Sequence, residues 1–308
     1  MPARSEKPST IAQHLAWAGE RLRDTSATPR LDAELLLAHA LGWGRARLIA
    51  EGRQMVDEAR AAVFRGLVER RAELEPVAYL VGYKEFYGLD FLVDRRVLVP
   101  RPETELLVDL ALAFARRRTN DQRPTSNGAN AARRSSLTIV DVGTGSGCIA
   151  AALAAHLADA AILAVDSSAE ALAVARQNVD RHGVADRVRL VQGDQLEQLG
   201  EAVDLIVSNP PYTILGQVDP GVRRHEPRGA LDGGPDGLTI YRRLLAQAPD
   251  KLRPGGALLL EIGATQGADI ADLARPHFPN ANIRVHKDLA GLDRVVAIDA
   301  LETRFLAT

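Results

Sequence analysis

The sequence predicts an α/β protein in which a seven-stranded, mostly parallel sheet follows a small N-terminal helical bundle and a β-hairpin linker. Three observations carry this prediction. Helical periodicity fills the first 75 residues, a segment rich in β-branched and aromatic residues follows it, and strand and helix patterns alternate from Leu137 onward. Such alternation is typical of a parallel sheet with helices on both faces.

The bulk composition indicates a soluble globular protein and excludes several classes of function. Of the 308 residues, 46% are apolar and 25% are charged, and the formal net charge of −2 gives no overall positive field for a polyanion. Cys148 is the single cysteine, which excludes an internal disulfide and a multi-cysteine zinc site, and we expect no metal. The chain shows no secretory leader and no apolar run near the ~20 residues of a membrane span. We therefore expect a cytoplasmic protein, and a monomer is the default.

Residues 1–75 are predicted to form a helical domain. Apolar residues recur at helical steps at Ile11, Leu15, Ala18 and Leu22. A second apolar stripe stops at Gly42, and helical sequence continues until Pro76 without any strand pattern.

The segment 76–100 is predicted to be a β-hairpin linker, because it is rich in β-branched and aromatic residues and is punctuated by Gly82 and Gly88. A helix then fits from about Glu103 to Arg117. The polar stretch 117–136 carries no periodicity, and we expect a disordered surface loop there. Its basic residues could contact nucleic acid, but a solvated loop explains the composition without a partner.

The third predicted domain spans residues 101–308 and contains the sheet. Strands are expected at 137–142, 161–165, 188–192, 204–208, 257–262, 282–287 and 294–300. Helices are expected at about 147–158, 168–181, 238–252 and 266–276. The last two strands follow each other without a helix, so we expect the final strand to be antiparallel.

A glycine-rich turn joins the first of these strands to the following helix. Gly143, Gly145 and Gly147 alternate with Thr144 and Ser146. Glycines permit a tight turn and a close approach of a ligand to the backbone, and a helix N-terminus offers free N–H groups. An ordinary strand-to-helix turn is the alternative. The loop lacks the Lys-Ser/Thr pair of a P-loop and the Gly-x-Gly-x-x-Gly spacing of a dinucleotide site.

Acidic residues at neighbouring strand ends predict an adenosine ligand with an amino-acid tail. Asp166 ends the second strand, where it can accept both hydroxyls of a ribose. Asp194 and Gln195 follow the third strand and can read an adenine edge, and Asp141, before the glycines, can meet a ligand ammonium. Each acid alone could be a strand-end cap. However, ligands of open α/β sheets bind at the carboxyl ends of the strands, where these residues occur in succession.

The fourth strand ends in the stretch Asn209-Pro210-Pro211-Tyr212. Prolines end a strand because they donate no ladder hydrogen bond, and two in succession make a rigid corner. The corner holds one amide side chain, one free carbonyl and one aromatic ring. A purely structural turn is the alternative, and the position at a fourth successive strand end counts against it.

Together these motifs resemble the class I S-adenosylmethionine-dependent methyltransferases, which have a Rossmann-like sheet. The stretch "NPPY" is similar to the signature of enzymes that methylate planar nitrogens. The whole chain, including "GYKEFYGLDF", "VLVPRPETE" and "ALDGGPDGL", resembles the PrmC/HemK family, and only 117–136 looks like an addition. Those enzymes methylate N5 of the glutamine in the Gly-Gly-Gln motif of peptide chain release factors. The resemblance implies S-adenosyl-L-methionine as methyl donor and release factors as protein substrates.

The resemblance also implies roles for individual residues. The Asn209 side-chain oxygen and the Pro210 carbonyl would each accept one N–H of the substrate amide, which orients the nitrogen and weakens its conjugation. Tyr212 would pack its ring on the amide, and Pro211 would keep the corner rigid. The donor would be held by Asp141, Gly143, Thr144, Gly145, Ser146, Gly147, Asp166, Asp194, Gln195 and Asn209.

Some assignments stay open on the sequence alone. Glu226, Glu261 and water are candidates for the proton acceptor. The segment "VPRPETE" could be a lid over the donor, or Arg101 and Glu103 could form an ion pair between domains.

Two other classes of function compete with protein methylation. A nucleic-acid methyltransferase acting on adenine N6 or guanine N2 could use the same corner. The nearly neutral helical domain counts against it, because nucleic-acid recognition needs many phosphate-neutralising cations, so we expect no direct nucleic-acid binding. A non-enzymatic binding module is the third reading, and the intact corner and glycine loop count against it. The helical domain is then expected to hold the release factor.

Overall fold

The computed structural model describes residues 10–121 and 137–300. The chain divides into two compact units. The first comprises the residues up to Tyr83 together with Asp219–His225, and the second comprises Lys84–Val218 and the residues from Glu226 onward. No helix in these described parts of the chain is both long and apolar enough to cross a membrane.

The first unit is a helical bundle. Its helices are α1 (Ile11–Arg21), α2 (Pro29–Leu41), α3 (Arg45–Ala50), α4 (Glu58–Ala72) and α5 (Val77–Val81). Thr10 begins α1 with a capping box, in which its hydroxyl accepts from the Gln13 N–H and the Gln13 side chain accepts from the Thr10 N–H. The predicted stripe of Ile11, Leu15, Ala18 and Leu22 lies in the buried core of this unit.

Helix α5 lies where the sequence predicted part of the hairpin linker. Pro76 precedes the helix and Gly82 ends it in the left-handed conformation, so the two residues enclose one short helix. The actual hairpin is shorter and consists of β1 (Tyr83–Phe86) and β2 (Leu89–Leu92). Its turn is formed by Tyr87 and Gly88, which both have positive φ, as a two-residue hairpin turn of type I′ requires.

In the second unit, helix α6 (Glu105–Asp121) follows the hairpin and a single 3₁₀ turn (Pro102–Thr104). It continues through Asp121, so residues 117–121 are helical and not part of a loop as predicted. The apolar face from Leu107 to Ala115 anchors this helix in the core, and its polar last turn simply continues it. The rest of the expected loop lies outside the described residues.

The second unit contains the predicted seven-stranded sheet. Its strands are β3 (Thr138–Val142), β4 (Ala161–Asp166), β5 (Val188–Gln192), β6 (Val203–Ser208), β7 (Leu252–Glu261), β8 (Asn282–Lys287) and β9 (Asp293–Asp299). They lie in the order β5-β4-β3-β6-β7-β9-β8, and β9 alone runs antiparallel to its neighbours. The predicted fold class and the reversed final strand are confirmed.

Helices cover both faces of this sheet. They are α7 (Cys148–His156), α8 (Ala169–Arg181), α10 (Thr239–Gln247) and α11 (Gly267–Ala274), while α9 (Pro220–His225) belongs to the first unit. Alternate side chains of a strand point to opposite faces. Accordingly, Leu205 and Val207 of β6 lie in one buried cluster and Ile206 lies in another. All six residues of β6 are buried, as expected for a central parallel strand.

Candidate active site

The order of strands reverses between β3 and β6, and this switch point brings the predicted site residues together. Val142 pairs with Val165 of β4 on one side and with Ser208 of β6 on the other. The residues that follow these strands, including Gly143 and Asn209, therefore begin side by side. Open α/β sheets bind ligands in the crevice at such a point.

The glycine loop leaves its backbone open. Gly143, Gly145 and Gly147 all have positive φ, which side chains rarely adopt. A Cβ atom at Gly143 would meet nothing within 4 Å, whereas one at Gly147 would meet Ala175 of α8 at 3.2 Å. The first two glycines thus leave space above the loop, and the third permits close packing between helices.

The polar groups of the loop are held in place from below. The N–H groups of Gly143 and Thr144 donate to the Val165 carbonyl at 2.8 and 3.0 Å. Asn178 of α8 donates from Nδ2 to the Ser146 carbonyl at 2.8 Å and also contacts both backbone groups of Leu92 in the hairpin. Because Asn178 is fully buried, it ties the loop and the hairpin to one helix.

Asp141 lies beneath the loop. Its Oδ2 accepts from the Thr144 hydroxyl at 2.6 Å and from the Ala150 N–H at 3.2 Å, while Oδ1 has no partner in the described structure. Burial raises the pKa of Asp141 to about 7, although the bonds from Thr144 and Ala150 oppose this rise. Because Oδ2 already accepts two hydrogen bonds, Oδ1 is the oxygen left for the predicted contact with a ligand ammonium. That contact stays a prediction.

Asp166 at the end of β4 shapes the same loop. Its Oδ2 accepts from the Gly145 N–H at 2.8 Å, and its Oδ1 accepts from the Ser168 N–H at 2.9 Å. Each carboxylate oxygen can accept more than one hydrogen bond, so both remain able to take a hydroxyl. The side chain is half-buried, which leaves room for the ribose contact that the sequence predicted.

Asp194 and Gln195 differ in environment although they are neighbours. Asp194 is exposed and pairs with Arg243 at 2.6 Å. Gln195 is buried with a positive φ, donates from Nε2 to the Ile240 carbonyl at 3.3 Å, and keeps an unpartnered Oε1. Of the two, Gln195 has the free buried polar atom that an adenine amino group would satisfy.

The proline corner follows β6 as predicted. Asn209, Pro211 and Tyr212 are half-buried and Pro210 is buried. The Asn209 side chain donates from Nδ2 to the Thr104 hydroxyl at 3.2 Å. Burial raises the pKa of Tyr212 to about 12, with a further contribution from Glu261, so its hydroxyl stays neutral.

The corner is supported by residues that sequence reasoning did not single out. Gln266 donates from Nε2 to the Tyr212 carbonyl at 3.2 Å and to the Gly237 carbonyl at 3.3 Å. The loop from Leu231 to Gly237 lies directly against the corner, because a Cβ atom at Gly233 would come within 2.8 Å of the Tyr212 backbone. Only glycine fits at this position without a shift of the Tyr212 backbone.

The two candidate proton acceptors have opposite surroundings. Glu226 is buried and its charge is paired, since its Oε2 accepts from the Val99 N–H at 3.1 Å and its Oε1 accepts from the Arg101 guanidinium at 2.5 Å. Arg101 therefore pairs with Glu226 and not with Glu103 as one expectation had it.

Glu261, the last residue of β7, is also buried, but no hydrogen bond of ordinary geometry reaches either oxygen within the described residues. Burial raises its pKa from 4.5 to about 7, opposed by the nearby Thr104 hydroxyl and by Arg294. A carboxyl group that titrates near neutrality beside Asn209 can exchange a proton under ordinary conditions.

A second concave region lies at the opposite end of the sheet. It encloses about 1550 Å³ and is bordered by the first residues of the strands, such as Thr138, Ala161, Val188 and Val203. It contains none of the predicted site residues. Within residues 10–121 and 137–300, no group of three or more potential metal ligands comes together.

Known proteins resemble this chain over nearly its whole length. The family model of the PrmC N-terminal domain matches residues 13–82, and that of the methyltransferase small domain matches residues 129–225. Release factor glutamine methyltransferase of Rhodopirellula baltica is 41% identical over 96% of this chain and 97% of its own length. The enzymes of that name from Nitratidesulfovibrio vulgaris and Moorella thermoacetica are 42% and 43% identical, over 95% and 92% of this chain and 96% of their own lengths.

A solved structure shares the fold. The hMettl16 catalytic domain in complex with MAT2A 3'UTR hairpin 6 aligns over 82% of this chain and 86% of its own, with a TM-score of 0.53 and 15% identity. At that identity the likeness concerns the fold alone. The full-length relatives are far more similar, and by their similarity this chain belongs to the release factor glutamine methyltransferase family.

Proposed function

We propose that this protein transfers a methyl group from S-adenosyl-L-methionine to N5 of the glutamine in the Gly-Gly-Gln motif of peptide chain release factors. The observation that carries the proposal is the position of the Asn209-Pro210 corner, directly beside the open glycine loop at the switch point of the sheet. The names of the full-length relatives support release factors as the substrate class.

The residues at the strand ends fit the methyl donor. The open backbone at Gly143 and Gly145 suits a ligand that lies close to the chain, and Asp166 can accept ribose hydroxyls. The unpartnered Gln195 Oε1 and Asp141 Oδ1 are buried polar atoms that suit an adenine amino group and an ammonium. When bound, the donor supplies an electrophilic methyl group on a sulfonium centre.

The corner activates the amide by orienting it. An amide nitrogen is a poor nucleophile because its lone pair is conjugated with the carbonyl. The Asn209 Oδ1 and the Pro210 carbonyl each accept one N–H of the substrate, which fixes the rotation of the NH2 group and favours a tetrahedral nitrogen. Alignment of this kind is worth up to ~7–11 kcal/mol in favourable systems. Pro211 and the bond from Gln266 to the Tyr212 carbonyl keep the two acceptors fixed.

Loss of the proton follows methyl transfer and does not need a strong base, because an N-protonated amide is strongly acidic. Glu226 is a poor acceptor, since its ion pair with Arg101 favours the charged form of the carboxylate. Water and Glu261 remain as acceptors near the reacting nitrogen. The Asn209-Pro210 corner therefore contributes mainly by positioning the substrate amide.

The first unit binds the body of the release factor in this proposal. The match of residues 13–82 to a family-specific N-terminal domain supports this role. We expect the enzyme to act as a cytoplasmic monomer without direct nucleic-acid binding. A nucleic-acid amino-group methyltransferase would share the corner, but the relatives that match over 92–96% of the chain carry the release factor name.

The proposal is tested by supplying two substrates in parallel. The purified protein is incubated with methyl-labelled S-adenosylmethionine and either an unmodified bacterial release factor or a mixture of ribosomal RNA and duplex DNA. Peptide mass spectrometry then locates the methyl group. A single methyl on the Gly-Gly-Gln glutamine is the expected result, whereas label found only in nucleic acid would overturn the substrate assignment.

A further inference from the structure

We propose that the turn between β8 and β9, residues 288–292, is a docking surface for the release factor, and that Leu289 contacts an apolar side chain close to the Gly-Gly-Gln glutamine. The inference deepens the proposed function and rests on it, because the partner is the protein substrate of the same site. It concerns the binding of that substrate and not the methyl transfer itself.

The β8–β9 hairpin carries an apolar patch on its surface. Within the described part of the sheet-containing unit, the large hydrophobic residues that are exposed all lie on this hairpin, and they are Val285, Leu289 and Leu292. The relative exposure of Leu289 is 110%, so no described neighbour covers it. A single exposed leucine is ordinary, whereas exposed apolar residues grouped on one element indicate an interaction site.

The turn is held rigidly although it is exposed. Asp288 Oδ1 accepts from the N–H groups of Ala290 and Leu292 at 2.9 and 3.0 Å, and Oδ2 accepts from the Arg294 guanidinium at 3.1 Å. The Asp288 N–H donates to the Leu292 carbonyl at 2.9 Å. These bonds fix the backbone on both sides of Leu289 without covering its side chain. A surface that is already ordered loses little conformational freedom when a partner binds.

The turn lies at the same edge of the sheet as the proline corner. Ser208, the last residue of β6, pairs with Leu260 of β7, and Leu260 pairs with Val296 of β9. Because β9 runs antiparallel to β7, the turn that precedes β9 extends beyond the carboxyl end of β7. Asn209 extends beyond the carboxyl end of β6 in the same direction.

Strand geometry gives the distance between the turn and the corner. Neighbouring strands lie ~4.8 Å apart and rise ~3.3 Å per residue, so Leu289 lies about 15 Å from Asn209. An interface of standard size buries ~800 Å² on each partner, which corresponds to a disc about 16 Å in radius. A protein that inserts its glutamine at the corner therefore brings its surrounding surface to this turn.

Packing also connects the turn to the corner. Gln266 donates from Nε2 to the Tyr212 carbonyl at 3.2 Å. A Cβ atom at the next residue, Gly267, would lie 2.4 Å from Asp293 Oδ2 and 3.0 Å from Val285 Cγ1. The corner and the hairpin thus contact consecutive residues at the start of α11. A partner bound at the turn is consequently held at a fixed distance from the methylation site.

The charges around Leu289 favour an apolar partner. Lys287 pairs with Asp293 at 3.2 Å, and Arg294 pairs with Asp288 at 3.1 Å. These ion pairs neutralise each other's charge and leave no excess of one sign beside the leucine. An apolar protein surface fits such a patch, whereas a nucleic acid would need unpaired cations.

Variants at Leu289 test the contact, because a side chain this exposed contributes little to folding. Leu289→Ser should raise the KM for the release factor at least ~10-fold, the effect of burying one leucine in an interface. We expect kcat and the calorimetric Kd for S-adenosylmethionine to stay unchanged. Leu289→Met restores an apolar side chain and should return KM to within ~3-fold of the wild type. Ala158→Ser, at an exposed position on the opposite end of the sheet, is the matched control and should change none of these values.

Calorimetric binding of the unmodified release factor separates this inference from the proposed function. If Leu289→Ser weakens binding to a wild-type protein that does not methylate the bound factor, the proposed function is overturned and the docking surface stands. An unchanged Kd and KM in Leu289→Ser, or an equal loss in Ala158→Ser, would overturn the inference. A wild type that does not bind the factor would overturn both.

Sedimentation of the protein alone tests a second copy of this chain as the occupant. We expect wild type and Leu289→Ser to sediment alike. A wild-type dimer that Leu289→Ser dissociates would assign the turn to self-association and overturn the inference.

Discussion

Glu261 should make the protein less stable at neutral pH than the same chain without this charge. The side chain is 1% exposed, and among the residues that the structure describes it has no hydrogen bond of ordinary geometry, so its ionisation costs free energy that few partners offset. Replacement by Gln keeps the size and removes the charge. We therefore predict that Glu261→Gln raises the free energy of unfolding.

The size of the effect follows from the raised pKa of Glu261. A rise from 4.5 to about 7 in the folded state corresponds to about 3 kcal/mol. The folded protein binds this proton more tightly than the unfolded chain does, so wild-type stability falls as the pH rises from 4.5 to about 7. The gain from Glu261→Gln should be close to zero at pH 4.5, grow through this interval, and level off at ~1–3 kcal/mol at pH 8 because the new amide also needs partners.

Urea unfolding of wild type and variant at pH 5 and pH 8 measures this difference. Glu226→Gln is the matched control, since Glu226 is also buried but is satisfied by Arg101 and the Val99 N–H. Removal of that charge breaks a buried pair and should lower stability. If Glu261→Gln were destabilising at pH 8, or if its effect did not change between the two pH values, the reasoning about its burial would be wrong.

The remaining predictions concern the corner and the donor site. Asn209→Ala should lower kcat by about 10²–10⁴-fold and raise the calorimetric Kd for S-adenosylmethionine by less than ~10-fold, since the glycine loop and Asp166 stay intact; near-normal turnover would refute the role of the amide. Asp166→Ala should raise that Kd at least ~10-fold, because both the Gly145 N–H and the ribose hydroxyls lose the carboxylate as an acceptor. An unchanged Kd would count against the assignment of Asp166 to the ribose. Gly233→Ala should cost ~1–3 kcal/mol of stability in urea unfolding and lower kcat, because its Cβ would lie 2.8 Å from the Tyr212 backbone. Gly229→Ala is the matched control, because a Cβ atom at Gly229 would meet nothing within 4 Å, and it should change neither stability nor kcat.

The sequence predicted the parts of the site that follow directly from strand ends. Once the strands are recognised, parallel pairing alone brings Gly143, Asp166 and Asn209 to one edge of the sheet. Central strands such as β6 could be located because they are buried apolar runs between turn residues, whereas the edge strand β8 is mostly exposed. Local patterns and one rule of topology were enough for this level of description.

Long-range contacts could not be predicted in this way. Thr104 and Asn209 are separated by 105 residues, and Asn178 and Leu92 by 86. Nothing local marks Thr104 as a partner of an amide, because a threonine at the end of a short turn usually serves that turn. The sequence also could not distinguish Glu226 from Glu261, since their difference lies in which donors surround them and not in the residue type.

The membership of α9 in the first unit affects how the two units could be separated. Asp219–His225 groups with the helical bundle, while Val218 and Glu226 on either side belong to the sheet-containing unit. Within the bundle, the His225 ring lies 3.2 Å from the Glu73 carbonyl, and Gly221 leaves no room for a side chain beside Leu74. Residues Asp219–His225 lie within the sequence of the sheet-containing unit, but their packing partners lie in the bundle. Truncation of the N-terminal residues would therefore leave these seven residues without their packing partners. A chimera that exchanges the helical unit between relatives must therefore carry two separate pieces of chain.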